Sequence, residues 1–252
     1  MIMRRFKTLG AIFVILLCIA SVNGQTLRIA VAANAQFVMD SLKTAFQKDH
    51  PGKIDLIVSS SGKLTAQIKH GAPYDIFLSA DMKYPSSIYE AGDALAAPAI
   101  YAFGKLVLWT AGKTTPGLDR LRSSTIKTIA VANPAIAPYG VAAITALKKT
   151  GMFETIKDKI VYGESIAQVN QYLLSGAADV AFTAMSVVKS PDMSRKGKWI
   201  EVKADLYQPI AQGVIILKFA KRNHLKMARA FYDFLFSSGG RAIFRYFGYR
   251  IH

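Results

Sequence analysis

The stretch LRIAVAANAQFVMDSLKTAFQKDHPGKIDLIVSSSG, residues 27–62, decides the fold. Leu27 to Ala32 is a short apolar run, the pattern of a strand buried on both faces. From Ala35 to His50 the period changes. Phe37, Val38, Leu42, Ala45 and Phe46 recur at helical spacing and can share one face. Pro51-Gly52 stops that helix. Ile54 to Val58 starts the next strand, and Ser59-Ser60-Ser61-Gly62 turns the chain again. Strand, helix, strand in this order predicts a parallel pair joined by a crossover helix.

The same alternation continues on either side of a break near residue 105. Leu64 to Lys69 reads as a helix stopped at Gly71, and Tyr74 to Ser79 as a third strand. A second series opens with the strand pattern Leu106 to Thr110. Strands follow at Ile129 to Ala132, Ile160-Val161 and Asp179 to Thr183, with helices at Gly140 to Lys149 and Ala167 to Leu174 between them. A late strand is expected at Ile215 to Phe219 and an amphipathic helix at Leu225 to Phe236. Two α/β series in one chain predict two lobes with a cleft between them. Ligand sites in such sheets sit beyond the carboxyl ends of strands, where helices begin. The expected division is 25–104 with 211–252 as the first lobe and 105–210 as the second. The chain then crosses near Phe103-Gly104 and again near Ala211-Gln212-Gly213, where glycines can absorb a hinge rotation.

Bulk properties narrow the class. The 252 residues are 52% hydrophobic and 19% charged, a globular composition. Residues 1–24 carry Arg4, Arg5 and Lys7 before an apolar run from Leu9 to Ala20, with Val22-Asn23-Gly24 as a small-residue cleavage site. This is the pattern of a signal peptide, too short for a comfortable membrane span. The single cysteine, Cys18, lies inside it, so disulfides and cysteine metal sites are excluded from the mature chain. The net charge of +16 falls to about +13 without the leader. Basic residues are spread along the chain with no basic helix interleaved with aromatics, which argues against a nucleic-acid partner. No HExxH, GxSxG or GxxxxGK[ST] motif is present. Asp75 and Asp81 are close in sequence and the four histidines His50, His70, His224 and His252 are available for catalysis, but His50 and His70 stand at helix ends, where a structural role suffices. An enzyme is therefore not expected.

The informative residues stand at helix starts: Asn34 after LRIAVA, Ser61-Gly62 after IDLIV, Pro138-Tyr139-Gly140 after IAVA, and Ser165-Ile166 before AQVNQYLL. A helix start offers unpaired N–H groups and the positive end of the helix dipole. Several converging on one cleft bind an anion without a cationic side chain. Each alone also reads as an ordinary cap.

The segments AVAANAQ (30–36), SSSGKLTAQIKHGAPYDIFLSAD (59–81), YAFGKLVLW (101–109), VANPAIAPYG (131–140) and GESIAQVNQYLLSGAADVAFTAMS (163–186) resemble the periplasmic molybdate-binding proteins of ABC importers. The resemblance runs from about Leu27 to Gly248. It implies a type II periplasmic binding protein fold: α/β, two-lobed, each lobe a mostly parallel sheet flanked by helices, with the ligand in the interlobe cleft. It implies binding of molybdate or tungstate for delivery to the membrane permease of an ABC importer, by a periplasmic monomer without a cofactor. Molybdenum or tungsten would enter only as the bound oxyanion. By resemblance the ligand residues are Asn34, Ser61, Tyr139 and Ile166, the last through its backbone N–H, with Ala33 beside Asn34 as a further candidate. Some family members carry a ligand tyrosine where this chain reads AFTAMS, which leaves Thr183 as another candidate. Another tetrahedral oxyanion such as sulfate is the alternative ligand. Phosphate is disfavoured because its protonated form needs an acceptor, and none of these loops offers a carboxylate.

Overall fold

A computed structural model of the chain describes residues 26–112, 115–222 and 224–251. The expected signal peptide, with Cys18, lies outside the described residues, as does His252. Among the described residues no helix is long and apolar enough to cross a membrane.

The opening stretch folds as read. β1 (Leu27–Ala32) leads through a 3₁₀ turn at Ala33–Ala35 into α1 (Gln36–Phe46). β2 (Ile54–Ser59) follows, then α2 (Ser61–Lys69), β3 (Ile76–Leu78), α3 (Lys83–Glu90) and β4 (Ala99–Gly104). The second series is β5 (Leu106–Thr110), β6 (Ile129–Ala132), α4 (Pro138–Lys149), α5 (Phe153–Ile156), β7 (Ile160–Gly163), α6 (Ile166–Leu174), β8 (Val180–Ala184), α7 (Met185–Val188) and β9 (Lys198–Glu201). β10 (Ile210–Ile216), α8 (Leu225–Phe236) and α9 (Ser238–Tyr246) complete the chain.

Two five-stranded sheets result, ordered β2-β1-β3-β10-β4 and β7-β6-β8-β5-β9. β1 pairs in parallel with β2 and β3, while β10 runs antiparallel to β3 and β4. The second sheet repeats this scheme: β6 is parallel to β7 and β8, and β5 is antiparallel to β8 and β9. In each sheet four strands point one way, and the reversed fifth is the strand that arrives from the other sheet. Only Lys105 separates β4 from β5, and the return path runs between Glu201 and Ile210.

The late strand differs from its expected position. It occupies Ile210–Ile216 rather than Ile215–Phe219, and Lys218–Lys221 forms a 3₁₀ turn. Gln212 and Gly213 interrupt the apolar pattern that marks a strand, yet both sit in the ladder with β4, at a register shift. A polar residue is tolerated there because both polar atoms of its side chain are hydrogen-bonded, as described below.

The first core packs α1, α8 and α9 on the sheet through Leu27, Ile29, Val31, Leu42, Phe46, Phe231 and Phe244. Phe46 meets Phe231 edge-on at 5.0 Å. Each such buried side chain contributes about 1.5–3 kcal/mol. The second core, around Leu108, Trp109, Val131, Leu147 and Phe182, runs without a break onto Ala32, Ala33 and Ala80 at the strand ends of the first sheet. The two units are thus packed together at the carboxyl ends of their parallel strands, where the candidate loops lie.

Candidate functional site

The helix starts converge. Ala32, Ala33, Asn34, Ser60, Ser61 and Ala80 from the first sheet, with Ala137, Pro138, Tyr139 and Ile166 from the second, line a single small cavity of about 10 Å³. Every lining residue is uncharged. A larger groove of about 400 Å³ adjoins it at Ala80 and Pro138 and another of about 460 Å³ lies apart, but neither reaches Asn34, Ser61, Tyr139 or Ile166. The chemistry of the helix starts, rather than size, identifies the small cavity as the candidate site.

Local sequence explains each position. Ser60 caps α2 by accepting from Lys63 N at 3.4 Å, and Ser165 caps α6 by accepting from Gln168 N at 3.4 Å. Gly62 N donates to the Ile136 carbonyl at 2.9 Å, across the two units. Ser61 and Ile166 are therefore first helical residues whose N–H groups have no intrahelical acceptor. Ser61 is not a cap, as helix spacing alone allows; it stands one position inside the helix. Its Oγ accepts from Ala80 N at 3.0 Å, which leaves its hydroxyl hydrogen to donate. Pro138 occupies the first position of α4, where its missing N–H costs nothing, and so delivers Tyr139 to the cavity wall.

The structure brings together Asn34, Ser61, Tyr139 and Ile166, with Ala33 beside Asn34. All five are almost completely buried. Thr183 is not among them: it is fully buried, and its hydroxyl donates to Asn170 Oδ1 at 2.7 Å. Ala32, Ser60, Ala80, Ala137 and Pro138 complete the lining without having been named as ligand residues. Their neighbours in the motif were the signal.

Behind the cavity lies a buried polar cluster. Asn34 Nδ2 donates to Gln212 Oε1 at 2.9 Å and to the Tyr249 hydroxyl at 3.2 Å. The Tyr101 hydroxyl donates to Gln212 Oε1 at 2.6 Å, and Gln212 Nε2 donates to the Tyr139 hydroxyl at 3.2 Å. Burial pushes the Tyr139 and Tyr101 hydroxyls well above the usual tyrosine range, and Tyr249 up to about 12. All three therefore keep their hydrogens at neutral pH and act as donors. Asn34 spends both side-chain hydrogens inside this cluster, so only its backbone faces the cavity as a donor.

The rim is charged. Lys63 Nζ and Glu164 Oε2 form an ion pair that joins the start of α2 to the residues before α6. The Tyr84 hydroxyl donates to the Ala135 carbonyl at 3.2 Å, a further bond across the two units. Among the described residues, the aspartates and histidines considered in the sequence have partners of their own. Asp75 accepts from Arg28 N at 2.7 Å and faces His224 Nδ1 at 2.9 Å, and Asp81 accepts from Tyr84 N at the start of α3. His50 stacks on Phe46, and His70 Nδ1 bonds the Ala66 carbonyl near the end of α2. Among the described residues no group of three or more His, Cys, Asp or Glu side chains is placed to hold a metal ion.

The family model for bacterial extracellular solute-binding proteins matches residues 27–250. The molybdate-binding protein ModA of Azotobacter vinelandii is 36% identical over 225 residues, 88% of this chain and 88% of its own. The ModA of Rhodobacter capsulatus is 36% identical over 227 residues, 87% of this chain and 86% of its own. The solved structure of the Azotobacter vinelandii periplasmic molybdate-binding protein aligns at TM-score 0.82 and 32% identity, over 90% of this chain and 99% of that one. The sulfate-binding protein SubI of Mycobacterium tuberculosis aligns at TM-score 0.73 but only 14% identity, over 90% of this chain and 86% of that one, a likeness of fold alone.

Proposed function

Because this chain belongs to the bacterial extracellular solute-binding proteins and has their two-sheet type II fold, we propose that its small cavity captures molybdate, or tungstate, for an ABC importer. The single observation that carries this reading is the cavity lining. Helix starts from both sheets meet there, and every lining side chain is uncharged. Such a site suits a compact anion with acceptors on all sides and leaves little room for an organic solute. The relatives at 36% identity are named molybdate-binding proteins. Tungstate has nearly the same size and charge and enters on the same terms.

The donors are the N–H groups of Ser61 and Ile166, the backbone around Ala33 and Asn34, and the hydroxyls of Ser61 and Tyr139. Each helix start contributes roughly 0.3–1 kcal/mol, and up to about 2 when partly buried. Each hydrogen bond to the charged ligand adds about 1.5–3 kcal/mol. Together these exceed the ~8 kcal/mol of a micromolar site. Binding, rather than turnover, is the activity this supports, since the site holds no general base and no nucleophile activated by one. The signal-like residues 1–24 support export to the periplasm, and the protein would act as a monomer with no resident cofactor.

The reading includes two lobes, one carrying Asn34 and Ser61 and the other Tyr139 and Ile166. An anion that touches both favours the closed state, because only closure completes the donor set. Small-angle scattering of the mature protein should show compaction when molybdate is added, and an unchanged radius of gyration at saturation would count against closure.

Calorimetry with molybdate, tungstate, sulfate and phosphate tests the assignment. Molybdate and tungstate should bind tightly, sulfate more weakly because its shorter bonds hold the oxygens nearer the centre, where they reach fewer fixed donors, and phosphate least. Tightest binding of sulfate would transfer the assignment to that ion. Ser61→Ala should weaken molybdate binding by about 1.5–3 kcal/mol, because one hydroxyl donor to a buried charge is lost. An unaltered dissociation constant would remove Ser61 from the site.

A further inference from the structure

The buried cluster behind the cavity has a direction. The main-chain carbonyl of Asn34 can only accept, and both the Ser186 hydroxyl, at 2.7 Å, and the Tyr249 hydroxyl, at 3.4 Å, donate to it. With its hydrogen directed there, Tyr249 must receive rather than give toward the Asn34 side chain, and Asn34 Nδ2 supplies that bond at 3.2 Å. The Asn34 amide is thereby fixed with its nitrogen toward Gln212, so Gln212 must present Oε1, which it does at 2.9 Å. The Tyr101 hydroxyl donates to the same oxygen at 2.6 Å. Gln212 then has only Nε2 left for Tyr139, at 3.2 Å. A tyrosine hydroxyl that receives a hydrogen bond from behind turns its own hydrogen the other way. Tyr139 is itself part of the cavity lining.

We infer that Gln212 is a positioning residue for the anion site, holding Tyr139 as an obligate donor to the ligand. This rests on the oxyanion reading above and adds a residue that lines no part of the cavity. Two further observations agree. Gln212 is completely buried in the interior of β10, where a polar side chain is otherwise a cost. Gly104, on the neighbouring strand β4, sits so close that a methyl group there would overlap both the Tyr139 hydroxyl and Gln212 Nε2. The backbone leaves space for this one contact. It also joins the two units, since Gln212 belongs to the first sheet and Tyr139 to a helix of the second. The hydroxyl is therefore aimed only when the units are together.

The test is a double-mutant cycle on the full mature protein, with molybdate titrated calorimetrically into wild type, Gln212→Leu, Tyr139→Phe and the double variant. Gln212→Leu frees the Tyr139 hydrogen to swing away, and should weaken binding by about tenfold. If Gln212 acts through Tyr139, the same change made in the Tyr139→Phe background should alter affinity by less than about twofold. An equal loss in both backgrounds would overturn the inference and leave Gln212 a general support of the fold. Thermal midpoints of the four proteins report packing damage independently. Gln212→Glu is the second variant. Its carboxylate accepts from Tyr139 and pulls the hydrogen out of the cavity, so it should bind more weakly than Gln212→Leu; equal or tighter binding would contradict the proposal. Failure of wild type to bind any of the oxyanions would instead sink the functional reading beneath it.

Discussion

Replacing Ser61 with aspartate is expected to lower molybdate affinity by more than about a thousandfold. Ser61 is 1% exposed, lines the cavity and stands at the start of α2. A carboxylate there gains the Ala80 N–H and the helix dipole, so the fold should tolerate it. The ligand does not. Two unit charges about 4 Å apart interact by roughly 4 kcal/mol at an effective dielectric near 20, and a dianion doubles the repulsion. Loss of the hydroxyl donor adds to it. About 4 kcal/mol already corresponds to roughly a thousandfold. Calorimetry decides the matter: binding within tenfold of wild type would show that the anion sits elsewhere. The contrast with Ser61→Ala is informative, because alanine removes a donor while aspartate opposes the charge itself.

Gly140→Ala is expected to destabilise the fold strongly. Gly140 follows Tyr139 in the first turn of α4. A methyl group on it would overlap the carbonyl oxygen of Ala132 and lie 2.7 Å from the carbonyl carbon and 3.0 Å from Pro134 N. These are backbone atoms, and Ala132 ends β6, which is held by β7 on one side and β8 on the other. The obstacle cannot rotate away as a side chain does. Overpacking costs about 1–3 kcal/mol and occasionally more, and a rigid backbone obstacle puts this site at the upper end, near 3 kcal/mol. For a chain of this size that lowers the melting temperature by about 6–12 °C. The helix start should tilt, carrying Tyr139 away from the ligand, so affinity falls as well. A melt within about 2 °C of wild type would show that the turn can shift freely.

Most of the scaffold was legible because it is built from short apolar runs and amphipathic helices. β1, β5, β6 and α8 lie on the residues that hydropathy alone selects. Two of the elements that escaped carry a misleading local pattern. β9, Lys198–Glu201, pairs only with β5 at the edge of its sheet, so its KWIE pattern is mostly polar or half-exposed. α9 opens on Ser238-Gly239-Gly240, poor helix formers held by the Ser237 cap on Gly240 N at 3.1 Å. The candidate site was legible in a different way. Helix starts were visible as residue types, but only the resemblance selected four of them as one set. Gln212 was seen only as part of a glycine-bearing crossing. A glutamine inside a strand carries no sequence mark of being buried, because what makes it affordable there is four partners distant in the chain: Asn34, Tyr101, Tyr139 and, through Asn34, Tyr249.

The passage of the chain out of the first sheet and back orders the assembly of the molecule. All five strands of the second sheet come from one uninterrupted stretch, 106–201, whereas the first sheet waits for β10 to fill the place between β3 and β4. Its core waits longer still, for Phe231, Leu235, Phe244 and Phe247 near the carboxyl terminus. During synthesis the segment that appears first is thus the last to close. The middle of the chain can reach its native pairing early, while β1 to β4 keep an apolar face uncovered until the final forty or so residues arrive, a long-range dependence of the kind that slows folding.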